Sequence, residues 1–516
     1  MSVNRSVLRL PPTSFLFVVA CVLIVAVAAF PIFHFYFVPV IIALTILGAI
    51  AAVKQPLGAL AFIALYLPFE PFLLKFVSDD VYVFAKYLPE LLMYFLGAVL
   101  CWRMVARKEK FASTPLDFPF ILFLVVLIAS ALINAVPPTI ALLGIRQIIR
   151  FILVFFIAYH LHPPTVFIRR LTVALFAVVL FQASLGLMQK ATGGLLDAYL
   201  LPSASRTLGD ITLTAGTSEF WDPGSRIFGT LGRYDRLGNL LAFFLALCVP
   251  LVYEPRLRAG RRAWCLVLLL GLPALIFTFS RASWFAFLLA FLFVAIVLRR
   301  DRRVAIAFGS AAILLAFYVG ISGLRVGFIT EAPGQTLVER FYETFSYARW
   351  RGEYYGLGRL FWMVQTPSVV VPAAPLFGHG PGQFGGGAAA ALGRTVVYDR
   401  LGLPFGVYGT DGYIDNNWFS LWGETGTLGI ILFLSMGILL FRAGMRLYRE
   451  GEYPFARAIG AGYAGALLGA ALIGFLSTAF EIRTFGFYLW MYGAFVVKMN
   501  VKRPHARKAF RAGEMP

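Results

Sequence analysis

Apolar stretches long enough to cross a bilayer follow one another along most of the chain. They lie near 14–33, 35–53, 56–69, 87–102, 117–135, 147–161, 171–189 and 237–253, then near 264–279, 283–298, 304–322, 417–441, 456–480 and 484–499. About 20 apolar residues is the length of a helix that spans the hydrocarbon core, and a helix leaves none of its interior backbone groups unpaired in lipid. The polar connections carry a second pattern, because every other one is basic. These connections contain Lys54; then Arg103, Arg107, Lys108 and Lys110; then Arg169 and Arg170; then Arg256, Arg258, Arg261 and Arg262. Further on come Arg299, Arg300, Arg302 and Arg303; Arg442, Arg446 and Arg449; and the terminal stretch from Lys498 to Arg511. Basic loops stay on the cytoplasmic side, so the alternation predicts about 14 helices with both ends cytoplasmic. The run at 56–69, short and closed by Pro68 and Pro71, is expected to be broken or tilted.

The fold class that follows is an all-α polytopic membrane protein. The segments are an N-terminal transmembrane bundle (1–189), a first long outer connection (190–236), central helices (237–322), a large outer loop (323–416), C-terminal helices (417–500) and a basic tail (501–516). Connections as long as the two outer ones are usually functional. In the larger, Gln335 to Trp362 is rich in aromatics and alternating charge and reads as one or two amphipathic helices on the membrane surface. The glycine-dense stretch from Pro375 to Gly393 reads as tight turns rather than a packed core, with Gly385 to Gly387 and Ala388 to Ala391 flexible.

Composition agrees. The 516 residues are 60% hydrophobic and 14% charged, against roughly 25% charged in soluble domains, which excludes a soluble enzyme. The net charge of +20 would suggest nucleic acid in a soluble protein; here cytoplasmic loops and anionic headgroups account for it, and no nucleic-acid partner is expected. The four cysteines lie far apart, with no disulfide framework or metal spacing. The first apolar run is too long for the core of a cleavable signal. No phosphate-loop or zinc-protease motif occurs, so neither a metal nor a cofactor is expected.

The informative residues are charges on the outer side, where charge is costly beside lipid. Arg281 sits in a tight connection between two apolar runs. Arg226 lies just before a span with Arg233 and Arg236 behind it, and Arg359 precedes the glycine-dense segment. Arg146 and Arg150, four apart, share one helix face. Converging guanidinium groups suit a phosphate or pyrophosphate. The competing reading is that each arginine snorkels to the interface beside a carboxylate; it weighs most for Arg146, Arg150, Arg233 and Arg236. It weighs least for Arg281 and Arg226, which have no evident partner carboxylate close by in sequence. Asp411 and Asp415 stand before the span at 417–441. Asp415 is either a helix cap or a general base facing a sugar hydroxyl. Glu424, about 13 Å deeper along the helix, reads as a structural group hydrogen-bonding between helices. Gly465 and Gly469 form a packing face, and His379 reads as a loop residue.

In four segments the chain resembles the O-antigen polymerase/ligase superfamily of bacterial membrane glycosyltransferases (Wzy and WaaL type). They are RIFGTLGRYDRLGNLLAFF, FTFSRASWFAFLLA, RLFWMVQTPSVVVPAAPLFGHGPGQF and DNNWFSLWGETGTLGIILF, in the family's order over about residues 220–440. The resemblance implies a GT-C-like inner-membrane enzyme with a periplasmic active site. It would transfer a glycan from undecaprenyl pyrophosphate to an acceptor hydroxyl with inversion and without metal. It also implies membrane lipids as surroundings, and a chain-length regulator and a flippase as partners. By position, Arg226 and Arg281 would bind the pyrophosphate, with Arg146, Arg150 and Arg359 as further anion-binding candidates. Asp415 stands where the family has histidine; Asn416 keeps its place, and with Asp411 would lie on the acceptor side. Aspartate there is more like polymerases of O-antigen, capsule or exopolysaccharide than like ligases that use lipid A-core. From another class, a lipid-linked oligosaccharide flippase would also have 12–14 spans. The long outer loop, the lack of repeated halves and the sparse charge inside the spans speak against it.

Overall fold

A computed structural model describes residues 53–77, 79–107, 112–202, 206–208, 211–213, 223–322, 326–329 and 335–500. The first two apolar runs, apart from Val53, and the basic tail lie outside the described residues. Every later apolar run becomes helical. Leaving the shortest helices unnumbered, these are α1 (Pro56–Tyr66), α2 (Asp79–Arg107), α3 (Asp117–Ile133), α4 (Pro138–Ile149), α5 (Ile152–His160), α6 (Thr165–Ala191), α7 (Tyr234–Tyr253) and α8 (Arg261–Phe277). They continue as α9 (Arg281–Leu292), α10 (Arg302–Ile321), α11 (Leu337–Tyr342), α12 (Tyr347–Tyr355), α13 (Arg359–Gln365), α14 (Asn417–Glu450), α15 (Pro454–Leu476) and α16 (Arg483–Asn500). A short antiparallel hairpin pairs Arg206–Leu208 with Ile211–Leu213. Among the described residues seven helices are long and apolar enough to cross a membrane, or nine if each of two bent helix pairs is one span. The protein is a multi-pass membrane protein.

The bent pairs have local causes. Past α1 the chain turns by 76° into Glu70–Phe76, where Pro68 and Pro71 interrupt the amide ladder; this is the break expected at 56–69. The second pair corrects the continuous span expected at 147–161. Helices α4 and α5 meet at 58°, and the bend carries Arg150 inward, where Nη2 donates to the Glu481 carbonyl at 2.8 Å.

Helix α7 is buried along nearly its whole length, with α6, α8, α9, α15 and α16 around it. In lipid, helix association draws on close packing rather than on burial from water, and α15 supplies the means. A Cβ on its Gly462 would lie 2.7 Å from Leu247 Cα, and one on Gly469 would lie 2.8 Å from the Ala286 carbonyl oxygen. The small-residue face is a packing face. Helix α10, by contrast, has no buried residue and exposes Ile306, Ile313, Leu314 and Phe317, as befits a helix bordered by lipid.

The helices give the molecule two unlike ends. At one, the basic connections gather: Arg299 and Arg457 reach Glu254 at 3.2 and 3.8 Å, and the Tyr448 hydroxyl donates to the Leu298 carbonyl at 3.1 Å. At the other lie the beginnings of α7, α9, α14 and α16, preceded by the large loop. That loop has a small core of its own, Trp362, Val370, Phe384, Val397, Tyr398, Val407 and Ile414. Two expectations are corrected here. Phe384 places the glycine-dense stretch inside a packed core, and Gly387–Ala391 is helical rather than flexible.

The glycine-dense stretch also repairs a broken helix. At Gly426 (φ +67°, ψ −173°) α14 leaves helical geometry, freeing backbone groups that cannot stay unpaired in an apolar setting. The stretch supplies partners on both sides of the break. The amides of His379 and Gly380 donate to the carbonyls of Gly423 and Glu424 at 2.8 and 3.0 Å, and those of Thr427 and Leu428 donate to Pro375 and Leu376 at 2.9 and 3.2 Å.

Candidate functional site

A belt of arginines lines the end opposite the basic connections. Arg233 immediately precedes α7 and forks onto Asp235, Nε at 3.0 Å and Nη2 at 3.3 Å; the carboxylate also suits the first turn of a helix. Arg236 lies in the field of Glu70 and Arg483. At the start of α16, Arg483 donates to the Glu70 carboxylate and the Lys86 carbonyl. Arg483 and Arg146 both lie over the Tyr87 ring, at 5.6 and 5.2 Å. Arg146 pairs with Glu90 at 2.6 Å, and Arg150 approaches the same carboxylate at 3.7 Å. These two arginines do share a face, and Glu90 is the carboxylate that the snorkelling reading required.

Across the belt, Arg359 donates to Asp415 Oδ2 through Nη2 at 3.0 Å and Nε at 3.3 Å. Burial opposes the Arg359 charge, but Asp415 and then Glu353 hold its pKa above the ordinary value. Arg226 stacks on the Tyr234 ring at 4.3 Å, and Tyr234 in turn lies in the field of Arg233 and Arg359. Protein surrounds Arg359 and Tyr413 at longer range, yet they keep 37% and 38% of their surface accessible. Both facts hold if these groups line a recess open to solvent.

Arg281 stands in an adjoining cluster, and its carboxylate partner is distant in sequence. Glu343, with none of its surface exposed, forms ion pairs with Arg281 at 3.0 Å, Arg340 at 3.0 Å and Arg349 at 3.2 Å. One buried carboxylate thus gathers three guanidinium groups beside the belt. Arg349 also pairs with Glu353, whose Oε2 accepts the Arg359 amide at 3.0 Å, linking the two clusters.

The remaining candidates separate by role. Asn416, not Asp415, caps α14: its Oδ1 accepts from the Phe419 amide at 3.0 Å, and its Nδ2 donates to the Phe475 carbonyl. It is buried, with both side-chain polar atoms in hydrogen bonds to the protein. Asp415 takes a left-handed backbone (φ +49°), which Asp tolerates better than most residues, and its carboxylate meets Arg359 instead of the helix. Asp411 is exposed and accepts from its neighbour Thr410 at 3.1 Å. Glu424 accepts the amides of Gly382 and Phe384 at 3.1 and 3.4 Å, tying α14 to the glycine-dense stretch as a structural group. Nothing in the sequence reading selected Arg483, Glu90, Glu70, Arg340, Arg349 or Glu481. A usable signal existed for Glu481 and Arg483, two charges two residues apart in a short connection on the same side as Asp415.

His379 is buried rather than a free loop residue. Arg400 donates to its Nδ1 at 2.6 Å, so its Nε2–H donates to the Val370 carbonyl at 2.9 Å. Burial, reinforced by Arg400, lowers its pKa against the pull of that carbonyl. A histidine held neutral by the fold stabilises it above the unfolded value, about 6.5, and that contribution is lost as pH falls below it. Protection of the 375–386 amides against hydrogen exchange is therefore expected to fall between pH 7.5 and pH 5, and His379→Gln to flatten this response. An exchange rate with no additional pH dependence beyond the intrinsic one would refute it.

No protein-family model matches the chain, and no curated protein matches it.

Proposed function

We propose that the protein is a glycosyltransferase of the O-antigen polymerase/ligase superfamily, with about 14 spans, a GT-C-like fold and both termini in the cytoplasm of a bacterial cell. It joins undecaprenyl-pyrophosphate-linked oligosaccharide repeats at the periplasmic side of the inner membrane, as a polymerase of O-antigen, capsule or exopolysaccharide. The observation that carries this reading is the gathering of Arg146, Arg150, Arg233, Arg236, Arg359 and Arg483, from segments far apart in sequence, in the linked belt of charges that also holds Asp415. The basic connections lie at the other end, which supports a periplasmic recess.

In this mechanism the arginines hold the pyrophosphate and stabilise the charge it gains on leaving, the interaction with the largest leverage on such a transfer. Arg226 and the Arg281 cluster extend the positive field toward the donor. Asp415, with Oδ2 fixed by Arg359, uses Oδ1 to orient the acceptor hydroxyl.

The test is purified protein in nanodiscs with a synthetic undecaprenyl-pyrophosphate repeat, comparing wild type with Arg281→Ala and Asp415→Ala. A ladder of longer lipid-linked chains, indifferent to EDTA, is expected from wild type, and both variants should fall by about 100-fold or more. Arg281→Ala leaves Glu343 paired with Arg340 and Arg349, so it should fold normally. Transfer only after lipid A-core is added would make the protein a ligase. No product, with the lipid itself crossing a vesicle membrane, would make it a transporter.

A further inference from the structure

Two carboxylates from distant parts of the chain close on one glycine. An ideal Cβ on Gly386 would lie 3.2 Å from Glu481 Oε1 and 3.4 Å from Glu424 Oε1. Their surroundings differ. Glu424 is buried, 4% exposed, with backbone amides on its carboxylate. Glu481, in the turn Ala479–Glu481 before α16, is half-buried. Its Oε2 accepts from Gln147 Nε2 at 2.7 Å and the Gly387 amide at 2.9 Å, which fix the plane of the group. Its Oε1 has no hydrogen-bond partner among the described residues. A side chain at Gly387 would press on Oε2, 2.5 Å from its Cβ, so the paired glycines leave the carboxylate its room.

We infer that Glu481 is the general base of the transfer, its Oε1 taking the proton of the acceptor hydroxyl. The inference rests on the glycosyl-transfer reading above and names the group that reading lacks. In the step, the hydroxyl oxygen forms a bond to the anomeric carbon while that carbon's bond to the pyrophosphate oxygen breaks. The bonding pair departs with undecaprenyl pyrophosphate, and the hydroxyl proton passes to Glu481, which returns it to water after the product leaves.

Asp415 is the less available acceptor of that proton. Nε and Nη2 of Arg359 both donate to its Oδ2, so the carboxylate is already engaged by a cation. Glu481 has no such partner on its carboxylate, since Arg150 donates to its backbone carbonyl instead. The groups facing it are Gln147 and Arg150 at the end of α4, Glu424 from α14, and Tyr413 from the loop. Burial raises its pKa above the usual carboxylate value, against Gln147, Arg150 and the Gly387 amide, which suits a base working near neutral pH. Tyr413 lies in the field of both Glu481 and Asp415, placing the base and the orienting carboxylate around the same recess.

The experiment uses the full-length protein in nanodiscs with the lipid-linked repeat, comparing wild type, Glu481→Gln and Glu481→Asp. Glu481→Gln keeps the shape and should lower kcat by about 10²–10⁴-fold with the donor KM unchanged. Glu481→Asp should retain part of the activity and a fall of kcat at acid pH displaced from that of wild type, whereas Glu481→Gln should lose that fall. Azide needs no deprotonation, so adding it to Glu481→Gln should restore turnover as an inverted glycosyl azide. If Glu481→Gln keeps wild-type turnover, or if azide does not repair its loss, Glu481 only clamps the glycine-dense stretch and the inference is overturned. Should Glu481→Gln fail to fold, an acid limb in Glu481→Asp unmoved from wild type overturns it equally. A wild type that makes neither polymer nor ligated product fails the underlying reading, and the base assignment falls with it.

Discussion

Replacing Arg483 with methionine is expected to reduce transfer by about 10³-fold and to lower stability by about 3 kcal/mol. The two effects have separable origins. Arg483 begins α16 and reaches the buried Glu70 carboxylate, the Lys86 carbonyl and the face of Tyr87. Removing one member of a buried ion pair leaves the other charge uncompensated, which costs more than the pair itself contributed. Arg236 and Lys86 are near enough to Glu70 to soften that penalty, which is why the figure lies at the low end of the usual range. The double variant Arg483→Met/Glu70→Gln removes the stranded charge. Thermal unfolding in detergent should show it recovering most of the lost stability, while the transfer assay should show no recovery of activity. Recovery of both would mean that Arg483 only props the helices apart and holds no phosphate.

Gly426→Ala should prevent the outer half of the protein from assembling. The residue sits in a backbone region that is essentially restricted to glycine, and a Cβ there would lie 2.3 Å from the Leu376 carbonyl oxygen and 2.5 Å from the Gly378 amide. Neither neighbour can move cheaply, because both are backbone atoms of the stretch whose amides fill the break in α14. Strain and clash together exceed about 4 kcal/mol, the range reserved for a few severe mechanisms. Gly437 lies in the same helix with nothing within 4 Å of an added Cβ, so Gly437→Ala is the matched control. The yield of monodisperse protein and its melting temperature should fall steeply for Gly426→Ala and stay near wild type for Gly437→Ala. Equal behaviour of the two would show that the break in α14 is not needed.

Much of the architecture could be read along the chain. Lipid offers no hydrogen bonds, so an apolar run of sufficient length has little choice but helix, and its length is a local property. The interruption near Pro68 and Pro71 was equally local. The bend at Arg150 was not, since it accompanies a contact with Glu481, distant in sequence, and the residues around it look continuously apolar. The glycine-dense stretch shows the same limit from the other side: composition announced tight turns, but not that their amides complete a helix broken at Gly426.

Type and order of the candidate site residues were also present in the chain. Arginines next to span ends are visible because charge there is costly and needs a reason. Which carboxylate each one meets was not visible. Arg281 meets Glu343, Arg146 and Arg150 meet Glu90, Arg483 meets Glu70, and Asp415 meets Arg359 rather than capping its helix. A multi-pass helical membrane protein with basic clusters in alternate connections follows from the chain alone, because run length and charge at span ends act over a few residues. Which charges come together, which are paired and which carboxylate oxygen stays open follow from packing, because those outcomes depend on how helices distant in sequence lie side by side.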